Sequence, residues 1–200
     1  ASAHPGPAAS SPKISGPFHR PAGPNEQRMT MNRILPGGFL LAIEGIDGEG
    51  KSVQAEAVTR ALQARGLTCV QTREPTHGPW GRLLRESAQR GRLTPEKELE
   101  AFLEDRKQHV RDLIRPGLDA GKVIVTDRYY FSTVAYQGVR GFKPAELLRK
   151  NEAIAVEPHL LVLIDIPPEI GLARIGHRGG SADQFETLAE LSRSREIFLA

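Results

Sequence analysis

One cysteine, Cys69, stands among 200 residues. A lone thiol excludes an intrachain disulfide and a cysteine-based zinc cluster, and it favours a reducing, cytoplasmic setting. Aromatic residues are scarce at 6%, with one tryptophan, and methionine occurs twice. Neither sign of charge dominates. The 27 Lys+Arg against 24 Asp+Glu leave +3, too even a balance to argue for a nucleic-acid partner. No apolar run approaches the roughly 20 residues that span a bilayer, so no membrane contact is expected. No repeat of fixed period is visible, and the composition excludes a coiled coil or a collagen.

What remains is ordinary globular material, 39% apolar and 26% charged, in a length that suits one mid-sized domain. The first stretch differs. Ala1 to Arg28 is rich in Ala, Ser, Pro and Gly, with only Ile14 and Phe18 as large apolar residues. It cannot bury enough surface to offset the entropy of ordering, which predicts a disordered extension over 1–37 and a folded domain over 38–200. Lys13, Arg20 and Arg28 suit a transit peptide, but the prolines oppose the helix such peptides form. Met29 and Met31 precede the folded part, so a native start there, behind a tag or translated leader, is a second reading.

Short apolar runs then alternate with helical patterns. Phe39-Leu-Leu-Ala-Ile43 is a continuous apolar run, the mark of a strand buried on both faces. From Ser52 to Arg65, Val53, Ala57, Ala61 and Leu62 fall on one helical stripe, and Gly66 is a stop. Thr68–Thr72, Val123–Thr126 and Leu160–Ile164 read as further strands. Thr94-Pro95-Glu96 starts a helix that Pro116-Gly117 is expected to end near Arg115. A short helix is expected from Ile170 to Ala173. Strands separated by helix-length segments mean βαβ units, hence a three-layer α/β sandwich whose central parallel sheet is flanked by helices.

Gly45-Ile46-Asp47-Gly48-Glu49-Gly50-Lys51-Ser52 fits the pattern G-x-x-x-x-G-K-[ST]. Background residue frequencies put a chance match on the order of one in a hundred for a chain of this length. The motif also follows a predicted strand and opens a predicted helix, as its mechanics require. Glycines let successive N–H groups face phosphate oxygens, and the helix adds the positive end of its dipole. Lys51 can reach the β- and γ-phosphates, and the Ser52 hydroxyl can ligate Mg²⁺. Asp127, closing a buried strand, stands where a magnesium-orienting carboxylate would, and it also suits a turn. Phe102 and Arg106 share one helix face and could stack on a base and donate to its carbonyl; on periodicity alone, core packing and an ion pair with Glu98 or Asp105 fit better. Arg73 and Arg128 each follow a strand end, where they could grip a dianionic phosphate or form surface salt bridges.

Asp127-Arg128-Tyr129-Tyr-Phe-Ser132-Thr-Val-Ala135-Tyr136-Gln137-Gly138 resembles the D-R-[YHF]-x-x-S-x-x-A-Y-Q-G signature of bacterial thymidylate kinases. Thr72-Arg73-Glu74-Pro75 and Phe102-Leu-Glu-Asp105-Arg106 resemble two more of that family's motifs. With the phosphate loop they stand in family order from Phe39 to about Phe198. The resemblance implies a nucleoside monophosphate kinase of the phosphate-loop fold that moves the γ-phosphoryl of ATP to dTMP in dTTP biosynthesis. It also implies Mg²⁺, a homodimer, and a last strand lying outside this stretch. Lys51, Asp47, Arg128, Arg174 and Arg178 would be catalytic. Gly45 to Ser52 would bind ATP, and Ser52 and Asp127 the metal. Arg73, Phe102, Arg106, Arg128, Ser132, Tyr136 and Gln137 would bind the acceptor, Tyr136 by crowding the sugar 2′ position.

Gly48 stands where some members carry a loop arginine, so this chain resembles the type whose arginines come from a lid, here about 174–184. Other features depart from the pattern. Thr76-His77-Gly78-Pro79 replaces Gly-Gly-Thr, Gln184 replaces a lid-end arginine, and Val53 replaces a threonine. Glu49 puts a carboxylate on the phosphate loop, with its side chain expected in water. Two rival readings follow from these changes: a kinase for another nucleotide or nucleoside, and a non-catalytic nucleotide-binding regulatory protein.

Overall fold

A computed structural model describes residues 33–177 and 187–200. Four parallel strands form its sheet: β1 (Phe39–Glu44), β2 (Cys69–Arg73), β3 (Val123–Asp127) and β4 (Leu160–Leu163), in the order β2-β3-β1-β4. Apolar residues continue along β1 because both of its faces are covered. Leu40 and Ala42 pack with Val110, Ile114, Leu118 and Ile124 on one side. Leu41 and Ile43 pack with Ala55, Val123 and Val125 on the other. Alternate residues of one strand thus feed two cores, and the three-layer α/β architecture follows.

The helices are α1 (Lys51–Ala64), α2 (Pro79–Arg90), α3 (Pro95–His109), α4 (Arg115–Asp119), α5 (Tyr130–Val139), α6 (Pro144–Glu152), α7 (Pro168–His177) and α8 (Leu188–Leu199). Three helical expectations need correction. On α1 the buried residues are Lys51, Ala55 and Thr59, with Val58 and Leu62 against the core, whereas Val53 is 64% exposed. Lys51 belongs to the buried face because it serves the loop before it, and that shifts the stripe away from Val53, Ala57 and Ala61.

Pro116 does not end the long helix. Between α3 and α4 the chain makes a wide π turn, Val110–Ile114, and Pro116 lies in the first turn of α4. A proline has no N–H to give and crowds the carbonyl one turn back, and a wider turn absorbs both. Finally, α7 is longer than expected and takes in Arg174.

Residues 33–37 contact the folded part of the chain. Arg33 bridges Leu67, and the Leu35 N–H donates to Gly121 O at 2.7 Å. These two contacts tie Arg33 and Leu35 to the segments that lead into β2 and β3. Residues 1–32 lie outside the described residues, as do Arg178, Gln184 and most of the expected lid.

From β1 the chain moves outward to β2, returns to β3 beside β1, then crosses to β4 on the far side. The loops leaving β1 and β3 therefore part in opposite directions. They leave a crevice at the carboxyl ends of adjacent strands, the usual ligand position in such sheets. In register, Ile43 faces Asp127 and Arg73 faces Asp127 from the other side.

Candidate active site

The turn from β1 to α1 is the phosphate loop. At Gly48, with φ 84°, an added Cβ would lie 2.2 Å from Gly171 O, so α7 packs directly on the loop and leaves no room for an arginine there. Gly50 precedes α1 with φ 91° and no side-chain cap, leaving the first N–H groups of a 14-residue helix for an anion.

Lys51 is buried and its Nζ donates to Ile46 O, folding over the loop. Burial, with Arg128 nearby, pulls its ammonium down to about 8. Ser52 Oγ donates to Asp127 Oδ2, so the hydroxyl and the carboxylate expected at the metal are in contact. Both offer oxygen, the donor that Mg²⁺ takes, and phosphates and water usually complete such a site. These two residues therefore fit the group.

Glu49 departs from expectation. Its side chain is 6% exposed and folds back under the loop, with Oε2 only 1.5 Å from where a Cβ on Gly45 would stand. That oxygen has no hydrogen-bond partner among the described residues. Burial pushes the carboxyl up to about 7, although Lys51 pulls against it. The bare Gly45 leaves the space that Glu49 fills.

Arg128 leaves β3 in the left-handed region at φ 70°. Its N–H donates to Ile43 O at 2.9 Å, and Thr126 Oγ1 donates to Arg128 O at 2.7 Å. Held so, the guanidinium reaches four partners. It donates to Asp47 Oδ1, to Ser132 Oγ at 3.0 Å and to Gly45 O at 3.4 Å, and it lies 5.2 Å over the Tyr136 ring. Tyr136 OH donates to Asp47 Oδ2 at 2.9 Å. Burial, then the Asp47 charge, raises the Tyr136 phenol well above its ordinary value.

A cavity of about 350 Å³ adjoins this cluster, within the range of small-ligand sites. Arg73, Phe102, Arg106, Arg128, Tyr136 and Gln137 all line it, with Ser132 and Asp47. Six arginines and four carboxylates contribute to the lining, so positive charge prevails. α8 closes one side through Glu190, Leu191 and Ser194. From α7, Arg174 Nη1 donates to Gly48 O at 3.4 Å, on the phosphate loop.

Arg106 pairs with neither Glu98 nor Asp105. It is buried and donates to Glu74 Oε2, Asn151 Oδ1 and, at 3.2 Å, Thr133 Oγ1. His109 Nδ1 meets the other Glu74 oxygen at 2.9 Å, while Asp105 accepts from Thr76 N–H and Oγ1. Burial works to raise Glu74, but Arg106 and His109 outweigh it and hold the carboxyl below its ordinary value.

Glu44, at the end of β1, is equally hidden. It accepts from Tyr129 N–H at 2.8 Å and from Ser132 N–H at 3.1 Å and Oγ at 2.6 Å. Its burial pushes the carboxyl up. Sequence reasoning passed over Glu44, His109 and Asn151, and met Glu74 only as part of the Thr72-Arg73-Glu74-Pro75 motif. The available signal for Glu44 was a carboxylate closing a wholly apolar strand.

Comparison with known proteins places the fold and the sequence. The thymidylate kinase family model matches residues 43–200. A thymidylate kinase of Xylella fastidiosa (strain M12) is 50% identical over 169 residues, covering 84% of this chain and 77% of that protein. One from Xanthomonas euvesicatoria pv. vesicatoria (strain 85-10) is 50% identical over 167 residues, covering 84% and 74%. The crystal structure of thymidylate kinase from Ehrlichia chaffeensis superposes with a TM-score of 0.66 at 27% identity, covering 82% of this chain and 80% of that one. A phosphate loop joined through Arg128 to an arginine-lined cavity, on a fold and sequence shared this widely, marks the chain as a member of the thymidylate kinase family.

Proposed function

We propose that this chain transfers the γ-phosphoryl group of ATP to dTMP, giving ADP and dTDP, with Mg²⁺ as the metal. The observation that carries the reading is the double engagement of Arg128. It bonds Gly45 and Asp47 of the phosphate loop and, with Arg73, lines the adjoining cavity. Two anion sites meeting at one guanidinium suit transfer between two phosphorylated ligands.

The loop amides of Gly45, Ile46, Asp47, Gly48, Glu49 and Gly50 cradle the triphosphate, and Lys51 neutralises its γ-phosphoryl end. Ser52 and Asp127 would hold the metal, which supplies further neutralisation at the phosphate oxygens when bound. Arg73 and Arg128 grip the acceptor phosphate. Its second pKa is about 6, so the attacking oxygen is ionised at neutral pH and no general base is needed. Alignment and charge neutralisation then carry the reaction.

Asp47 orients Arg128 and Tyr136 between the two phosphates, and Ser132 steadies Arg128. Phe102 stacks on the base, Arg106 and Gln137 read its edge, and Tyr136 crowds the 2′ position. Arg174, already at Gly48 O, and Arg178 close over the triphosphate and keep out water, the competing acceptor.

The reading extends to a homodimer in the cytoplasm. Exposed Trp80 and Leu83 on α2 offer apolar surface for the first.

A coupled ADP-release assay with ATP and dTMP, dUMP, UMP, CMP or thymidine tests the reading. It expects dTMP to be the preferred acceptor and thymidine to be inert. Turnover of thymidine alone, or ATP binding with no turnover of any acceptor, overturns it.

A further inference from the structure

Glu98, Phe102 and Arg106 stand at successive turns of α3 and share one face along the cavity. Across from them on α5, Thr133 and Gln137 are one turn apart. Arg106 bonds Thr133, and Glu98 bonds Gln137, so the two helices are laced at both ends of the Phe102 ring.

Glu98 is 7% exposed and has two cationic neighbours. Arg92 donates through Nε at 3.0 Å and Nη2 at 3.3 Å, and Arg140 donates to Glu98 Oε2. That same Oε2 accepts from Gln137 Nε2 at 2.9 Å. Guanidinium N–H groups can only donate, so an oxygen already receiving one of them is an acceptor towards Gln137 as well. A glutamine amide could otherwise turn either end to this neighbour. Here only its nitrogen end satisfies Glu98.

The consequence falls on the opposite end of the amide. Gln137 is fully buried, lines the cavity, and its Oε1 has no hydrogen-bond partner among the described residues. The other side of Phe102 shows the complement. Arg106 is fixed through both terminal nitrogens by Glu74, Asn151 and Thr133, while its Nε likewise has no partner among the described residues. Two residues that line the cavity on either side of Phe102 thus hold a buried acceptor, Gln137 Oε1, and a buried donor, Arg106 Nε, neither with a partner among the described residues.

We propose that Glu98 is a positioning residue for acceptor choice: clamped by Arg92 and Arg140, it locks the Gln137 amide with its oxygen toward the base. The site then accepts a pyrimidine that presents a carbonyl beside a ring N–H, as thymine and uracil do, and rejects cytosine. Cytosine would set its amino group against the Arg106 donor and its bare ring nitrogen against the Gln137 acceptor, leaving buried groups unpaired. This inference rests on the monophosphate-kinase reading and adds to it the group that orients the base-reading amide.

Its test compares kcat/KM for dTMP and dCMP in the wild type, Glu98→Gln and Glu98→Asp. A glutamine at 98 can donate or accept, so the Gln137 amide is free to turn over. The dTMP preference over dCMP should fall at least about tenfold, through a higher KM for dTMP with kcat less affected. The aspartate variant keeps an acceptor-only group and should retain most of the preference. A substrate-side measurement needs no variant: N3-methyl-dTMP keeps both carbonyls but lacks the ring N–H, and its KM on the wild type should exceed that of dTMP at least about tenfold.

An unchanged dTMP preference in a folded Glu98→Gln protein overturns the proposal, and so does an equal KM for the N-methylated substrate. Wild-type protein without dTMP turnover overturns the functional reading itself, a separate result from either of these.

Discussion

Glu49 offers the sharpest quantitative test of the site's electrostatics. Its carboxyl sits under the phosphate loop at 6% exposure, with one oxygen lacking a partner among the described residues and its titration pushed up to about 7. In the unfolded chain the same group titrates near 4.5. Between those values the folded protein binds the proton more tightly, so stability falls as pH rises from 4.5 to 7 and the full penalty stands above 7. At about 1.4 kcal/mol for each pH unit, the penalty reaches about 3 kcal/mol. Glu49→Ala abolishes it but also removes one buried methylene, worth about 0.8 kcal/mol.

The variant should therefore be more stable than the wild type by about 2 kcal/mol at pH 8. Near pH 3.5 the acid is protonated in both states, only the lost packing counts, and the variant should be less stable by about 0.8 kcal/mol. Urea unfolding at the two pH values measures both differences, and the crossing of the two stability curves is the signature. If the wild-type and Glu49→Ala curves run parallel from pH 5 to pH 8, Glu49 is not a buried carboxyl and the account of the loop is wrong.

Two further outcomes follow from the same geometry. Lys51→Ala should cut kcat by about three orders of magnitude, the scale on which losing one charge-stabilising donor acts at a transition state; turnover within tenfold of wild type would remove Lys51 from the chemistry. Glu74→Gln should destabilise the protein by about 3–5 kcal/mol in urea unfolding, because Arg106 is left as a buried charge without its carboxylate. Glu74 has a lowered titration, so its stabilising contribution should hold above about pH 4.5 and fade in more acid solution. A loss under 1 kcal/mol at neutral pH would show that Arg106 finds compensation elsewhere.

How much of this was legible beforehand depends on the distance over which each feature is encoded. β1 and β3 read correctly because a parallel strand covered on both faces is written as an uninterrupted apolar run, as in Phe39–Ile43, whereas β4 carries the same kind of run at the sheet edge with Leu160, Leu161 and Val162 exposed. The phosphate loop was legible for a similar reason: its function needs glycines, a lysine and a hydroxyl within eight positions of one turn. The phase of α1 was not, since Lys51 and Thr59 lie on its buried face and no apolar pattern marks them. Nor was the passage through Pro116, where a π turn removes a conflict that a regular helix would have to resolve by ending.

The polar scaffold was hidden more deeply. Glu44 meets Ser132 across 88 positions, Glu74 meets Arg106 across 32 and Asn151 meets it across 45. No local spacing encodes such pairs; they exist only once the sheet has brought β1, β3 and the helices behind them together. Residues that touch a ligand answer to that ligand's chemistry, and chemistry selects recognisable residue types. Residues that orient them answer only to the fold. Arg128 illustrates the division: its guanidinium could be anticipated at the end of β3, but its aim depends on Glu44. That carboxylate holds the N–H groups of Tyr129 and Ser132, and so fixes the turn that forces Arg128 to φ 70°. A guanidinium at the right position becomes an anion clamp only because a buried acid from a neighbouring strand pins the turn that carries it.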